Sequence, residues 1–503
     1  MKTLTFIPAF IMIFLLSALT GCNNRPEVAE ENRSWIIGDS TVEMAIKKEF
    51  KAHPFITSSD IVVRAHEGII TLSGKTDNII EKKKAAGIVR LVRGVKGVVN
   101  LIEVDVPPVE DDILAEQIDE TLYRDPVLES YEITEKVDSG VVKLYGRVNS
   151  WQQKQLAEKV VESVEGVREV KNNIAFVYQE ERPDLDIKAD IAELMKNDVR
   201  IEDGLIDISV KDDTVLLKGT VGSASEKNLA IAQAWVAGVD TVVASGLEVS
   251  GDERDPLMRE DKFVEKPDPM IIEDIQRSFL HDPRLLNHDI RVLAENGKVT
   301  LSGKTGNYRA KKAAGQDASN VVGVFRVINN IRVEPVAMPA EKTVKDQIKT
   351  AFERHPLFDN YQITAVDDSG KVTLTGKVDF YFEKIQAEEL VSSMPGVVDI
   401  SNKIEVTNDI EFPYLITPGQ QDLPVLKQPV TKNDKQIKDE VEYQLWWSPF
   451  VDRNQVDVEV NDGEVTLTGT VNTQLEMDYA VKNAYQGGAF RVINKLDVDF
   501  WQI

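Results

Sequence analysis

Residues able to do chemistry are few in this chain, and they are scattered. The five histidines are His53, His66, His281, His288 and His355. His53, His281 and His355 fall beside prolines near expected helix ends, and His66 and His288 stand alone. No Cys/His cluster has metal-ligand spacing, so the histidines read as surface residues at helix caps. The 84 Asp and Glu residues guarantee chance carboxylate pairs, so pairing alone means nothing. There is no Gly-x-Ser-x-Gly, no phosphate-binding loop and no dinucleotide fingerprint. No catalytic constellation emerges, and nothing calls for a metal or cofactor. One cysteine, Cys22, allows no intramolecular disulfide. Two contact features remain. Lys82-Lys83-Lys84 reads either as a solvated helix face or as a contact for lipid head groups, where each lysine adds about 1 kcal/mol. Trp446-Trp447 reads either as packing against the Phe500-Trp501 tail or as a membrane or partner contact.

Cys22 closes a distinctive N-terminal stretch. Lys2 precedes an apolar run from Leu4 to Leu19, then Thr20-Gly21-Cys22. A short apolar core followed by small residues reads as a cleavable signal, although such a run nearly crosses a thin bilayer. Leu19-Thr20-Gly21-Cys22 resembles the lipobox of bacterial lipoproteins. That resemblance implies cleavage after Gly21 and lipid on the Cys22 thiol. With Asn23 rather than aspartate next, it also implies an outer membrane site facing the periplasm, in a cell that has one.

The rest of the chain repeats. Lys298-Val299-Thr300-Leu301-Ser302-Gly303 recurs in kind, ending at Gly74, Gly146, Gly219, Gly376 and Gly469. Most copies follow a hairpin signal such as Glu67-Gly68, Asn296-Gly297 or Asp462-Gly463. Before each lies an apolar stripe stepping by four: Val42, Ile46, Phe50 in the first unit and Ile437, Val441, Leu445 in the last. That spacing makes one helix face. A proline follows each stripe (Pro54, Pro126, Pro283, Pro356, Pro449) except in the third unit, which has Val199. After each strand glycine an alanine recurs, Ala85, Ala157, Ala230, Ala314, Ala387 and Ala480, on a second helix. A Gly-Val turn, such as Gly323-Val324, then leads to a third strand.

The order helix, strand, strand, helix, strand predicts a two-layer α+β sandwich. The fold class is a tandem array of six small αββαβ sandwiches. We place them at 36–106, 111–178, 184–249, 270–334, 343–406 and 433–500, after a signal at 1–21 and a tether at 22–35. An acidic linker spans 250–269 and a Pro-bearing one 407–432. These spacers suggest a group of three, a pair and a single unit.

The Val-x-Leu-x-Gly strand, the helix after that glycine and the Gly-Val turn resemble the BON domain, the bacterial osmotic-stress and nodulation family. Unit three departs most, with Ala244-Ser245 where Asn172-Asn173 and Asn329-Asn330 stand elsewhere. The resemblance implies a non-enzymatic envelope module contacting phospholipid, in envelope or osmotic stress maintenance. The alternative is a periplasmic scaffold that holds other envelope proteins without touching lipid. Net charge of −25 argues against nucleic acid as a partner.

Overall fold

The four-residue stripes form helices because they let one face leave water. Val42, Ile46 and Phe50 are buried together, as are Ile271, Ile275 and Phe279 and their counterparts in the other modules. A computed structural model describes residues 38–52, 56, 61–176, 178, 182–250, 262, 264–335, 341–358, 361–407, 432–448 and 450–498. The signal, Cys22, the tether and most of both long linkers lie outside the described residues. The described residues form one compact unit.

Each module contributes two helices. In order they are α1 Asp39–Ala52, α2 Ile79–Leu91, α3 Asp111–Arg124, α4 Trp151–Glu162, α5 Asp184–Asn197, α6 Ala224–Gln233, α7 Asp268–His281, α8 Tyr308–Ser319, α9 Glu341–Glu353, α10 Tyr381–Ser392, α11 Asp434–Trp447 and α12 Gln474–Gln486. They cover one face of a three-stranded sheet. Its middle strand pairs antiparallel with the first and parallel with the third, as in Ile61–His66, Ile69–Thr76 and Gly97–Val104. The other face alternates outward. The fold is the expected α+β sandwich, six times over.

Three local devices recur among the modules. The hairpin turn takes positive φ at both central residues, 51° at Glu67 and 80° at Gly68. The first residue of the first helix reaches back to it: Asp39 accepts from the Glu67 and Gly68 amides at 2.9 and 3.0 Å. Asp268 and Asp434 do the same in modules four and six. The strand glycine is needed because the neighbouring strand passes too close. At Gly376, with φ 145°, an added Cβ would meet the Gln362 carbonyl oxygen at 2.6 Å. Finally, an asparagine in the third strand ties it to the second helix. Asn100 donates to the Lys82 carbonyl at 2.8 Å, and Asn172, Asn329 and Asn402 repeat the bond.

Module three lacks that asparagine, and its second and third strands slip register between Leu216 and Lys218. Lys227 supplies a substitute by donating to the Leu247 carbonyl at 2.5 Å. The recurring alanines Ala85, Ala157, Ala230, Ala314, Ala387 and Ala480 are all fully buried. Close packing at these positions favours a small side chain on the second helix.

The grouping suggested by the linkers does not survive. Modules three and four touch across the 250–269 linker, where Asn197 donates to Asp274 at 2.7 Å. Lys262, from within that linker, is buried and donates to the Lys196 carbonyl at 2.7 Å, at the end of α5. Modules five and six touch across the other linker, with Tyr381 and Tyr485 stacked at 4.1 Å.

Candidate functional site at the module junctions

Helices, rather than sheets, meet at the junctions, so the functional groups gather there. The contacts come in equivalent pairs. Lys83 pairs with Glu158 at 2.8 Å between modules one and two, and Lys312 with Glu388 at 2.9 Å between four and five. Trp151 stacks on Trp235 at 5.4 Å between two and three, as Tyr381 stacks on Tyr485 between five and six. Arg277 faces Asp190 at 3.6 Å between four and three, and Lys48 faces Glu440 at 3.3 Å between one and six. Modules one to three therefore repeat as four to six. Because module six docks on module one as three docks on four, the six close into a ring with a pseudo-two-fold pattern.

Two cavities of about 820 Å³ each lie among the helices. One is central, lined by Ile80, Leu156, Arg309, Ala351 and Leu390 among others. On its border Arg309 bonds Asp125 at 2.9 Å, and both are buried. Ile80 takes the place of Arg309 in module one and packs instead against the core of module five. The other cavity lies where modules one, four, five and six meet. Its lining includes Lys84, Phe380, Tyr381, Phe382, Lys482 and Tyr485.

Burial sets the unusual ionisation. Glu49 and Gln444 meet at 3.2 Å across the ring closure, and burial pushes the Glu49 carboxyl up to about 7. Glu383 is likewise pushed up to about 7 by burial, against the Tyr361 hydroxyl at 3.1 Å. At the junction of modules three and four, Asp198 accepts from the Arg200 Nη2 at 2.7 Å and Asp282 binds the Arg284 guanidinium. Asp317 lies beside them, its carboxyl pushed well up by burial and then by the Asp282 charge. Among the described residues, no group of His, Cys, Asp and Glu could hold a metal ion, and no helix is long and apolar enough to cross a membrane.

The residues singled out from sequence fare differently. Cys22 lies outside the described residues. Lys83 bonds Glu158 of module two, and Lys84 lies 4.4 Å over the Phe382 ring of module five. Both line the central cavity, whereas Lys82 is half-buried and offers its backbone carbonyl to Asn100. Trp446 is 41% exposed with Arg93 of module one 4.7 Å over its ring. Nothing is described of the Trp447 side chain. The histidines are not uniformly surface caps. His355 is buried against Phe358 at 4.7 Å, and burial pulls its imidazole down to about 3, so it stays neutral. His53 lies outside the described residues. Sequence reading missed Lys482, which carries no motif of its own. Aligning α12 with α6 would have found it, since a lysine there replaces an alanine.

A protein-family model described as the BON domain matches residues 38–106, 110–178, 183–251, 267–335, 340–408 and 433–499. The chain belongs to the BON-domain family. The osmotically-inducible protein Y of Escherichia coli (strain K12) is 29% identical over 143 residues, spanning 27% of this chain and 71% of that protein. Among solved structures, CdsD, a structural protein of the type III secretion system of Chlamydia trachomatis, is 14% identical. It covers 40% of this chain and 89% of its own, with a TM-score of 0.12. The PrgH periplasmic domain is 15% identical over 43% of this chain and 98% of its own, with a TM-score of 0.11. Scores this low carry nothing about how six BON modules are arranged.

Proposed function

We propose that this BON-domain protein is a non-enzymatic envelope lipoprotein, held at the membrane by lipid on Cys22, whose first module contacts phospholipid. The osmotically-inducible relative favours a role in envelope or osmotic stress. One observation carries the membrane contact. The outward sheet face of module one bears Val62, Ile69, Val99 and Leu101, which are 47%, 43%, 44% and 60% exposed. Val62 and Leu101 flank Ser73 in one cross-strand row, and Val99 lies beside Thr71 in the next. Exposed apolar groups clustered on one face mark an interaction site. This module is also the one reached first from Cys22. Residues 23–38, fully extended, span at most roughly 60 Å, which keeps module one within reach of the bilayer that the lipid enters.

The chain from residue 23 on should float with vesicles of phosphatidylethanolamine and phosphatidylglycerol. Val62→Asp with Leu101→Asp should abolish flotation while circular dichroism stays unchanged. A folded double variant that floats as before would refute the contact and leave the scaffold reading, in which the modules hold other envelope proteins. Separately, Cys22→Ala should block lipid labelling and leave the precursor uncut.

A further inference from the structure

Lys84 and Lys482 stand apart from the other lysines at the junctions. Lys83, Lys159 and Lys312 each meet a carboxylate, and Lys432 donates to the Gly487 carbonyl. Among the described residues, the ammonium groups of Lys84 and Lys482 have neither an ion pair nor a hydrogen bond. Each lies over a ring instead, Lys84 at 4.4 Å from Phe382 and Lys482 at 5.4 Å from Tyr479. Both line the cavity of about 820 Å³ among modules one, four, five and six.

Three of the four acids in the cavity lining are engaged elsewhere. Asp478, one turn before Lys482, accepts from Gln474 at 3.1 Å. Asp434 caps the Asp462 and Gly463 amides at 3.0 and 2.8 Å. Glu389 faces Lys159 at 3.6 Å. Burial, and then the charge of Lys482, pull the Lys84 ammonium down to about 7, and burial lowers Lys482 as well. Two desolvated like charges are costly unless an anion joins them.

The pseudo-two-fold pattern shows that the fold does not require them. Lys84 is the sixth residue of α2, and the sixth residue of α8 is Ala313; Lys482 is the ninth of α12, and the ninth of α6 is Ala232. One half of the ring therefore builds the same junction with alanines. One stretch of the remaining wall is aromatic and apolar, with Phe380, Tyr381, Phe382, Ile385, Tyr485 and Phe490, and the rest is polar, with Lys312, Lys432, Asp434 and Asp462 among others. The volume falls within the roughly 300–1,000 Å³ of small-molecule sites.

We propose that this cavity binds a single-chain anionic amphiphile, with its phosphate or carboxylate between Lys84 and Lys482 and its apolar chain along the aromatic wall. The site is inside the ring and independent of the outer sheet face of module one, so flotation and cavity binding can fail separately.

The test is calorimetric titration of the chain from residue 23 on with dodecyl phosphate below its micelle concentration. One site per chain is expected, with inorganic phosphate and dodecanol each at least 10-fold weaker. Lys84→Ala with Lys482→Ala, which copies Ala313 and Ala232, should weaken dodecyl phosphate at least 10-fold without lowering the melting temperature. Lys75→Ala, on an exposed strand, should bind as wild type. Absence of saturable binding, or a double variant binding as wild type, overturns the proposal. Equal affinity for inorganic phosphate overturns the apolar part, and equal affinity for dodecanol the anionic part. Should the double variant fail to fold, ¹³C-dimethyl-lysine spectra of the wild type decide. Dodecyl phosphate must raise the titration points of two lysines, and unchanged values refute the site.

Discussion

Lys159 and Glu389 are each the ninth residue of their helices, α4 and α10, and they face one another with Nζ 3.6 Å from Oε1. Equivalent positions of the two halves of the ring thus meet each other. An exact two-fold would set like charges together there; the divergence of the halves makes them complementary. Lys159 is largely exposed, so the pair itself contributes less than about 1 kcal/mol. Glu389 also lies near Lys312, Arg309 and Arg284. Glu389→Lys should therefore lower the melting temperature clearly, and Lys159→Glu only slightly. Adding Lys159→Glu to Glu389→Lys should recover part of the loss. A thermal-melt double-mutant cycle with no coupling between the two sites would show that they do not interact.

Gly376→Val should destabilise the protein by about 2 kcal/mol or more, because φ of 145° and the Gln362 oxygen at 2.6 Å both oppose a branched side chain. Lys377→Val, one residue on and exposed, should change stability by less than about 0.5 kcal/mol. Urea unfolding of the two variants gives the comparison; equal midpoints would contradict it.

Glu49 predicts a pH dependence of ring closure. Its folded carboxyl titrates at about 7, raised by burial from 4.5. The unfolded chain ionises near the lower value, so folding takes up a proton between the two. Stability from this group is present below the unfolded value, declines as pH climbs through 7, and then levels off. Glu49→Gln should thus melt near wild type at pH 4.5 and above it at pH 8, by at most about 3 kcal/mol. Calorimetric melts at the two pH values test this, and a gap that does not widen with pH would disprove it.

Trp446→Ala removes the ring under Arg93, at the closure between modules six and one. A cation–π contact at a partly exposed site is worth about 0.5–1 kcal/mol. We expect a small loss of stability, with unchanged secondary structure and faster hydrogen exchange in α1 and α11. An unaltered exchange pattern would mean that the ring does not brace the junction.

Within a module the residues announce the fold. The stripe of Val42, Ile46 and Phe50, the Glu67-Gly68 turn and the Ala85 contact each follow from a local period or a backbone requirement. The return of Asp39 to the turn was readable too, from the aspartates opening α1, α7 and α11. The junctions were opaque for a physical reason. Lys83 and Glu158 lie on separate modules, and each alone is an ordinary surface charge, so only the assembled ring distinguishes Lys83, paired with Glu158, from Lys84, seated over the Phe382 ring. The prolines of the linkers misled because a stiff spacer fixes the distance between modules and not whether they touch. Only the comparison of the first three modules with the last three, position against position, carries a trace of the ring.

Ring closure orders events in time. The bond between Glu49 and Gln444 joins residues 395 apart in sequence. Loop-closure entropy opposes so distant a contact until the intervening modules have already folded. A chain emerging N-terminus first therefore completes module one early and leaves the flank that receives module six unoccupied through most of synthesis or translocation. The last helix pair acts as a latch, and interruption of the chain before Asp434 would release five folded modules with one unsealed edge.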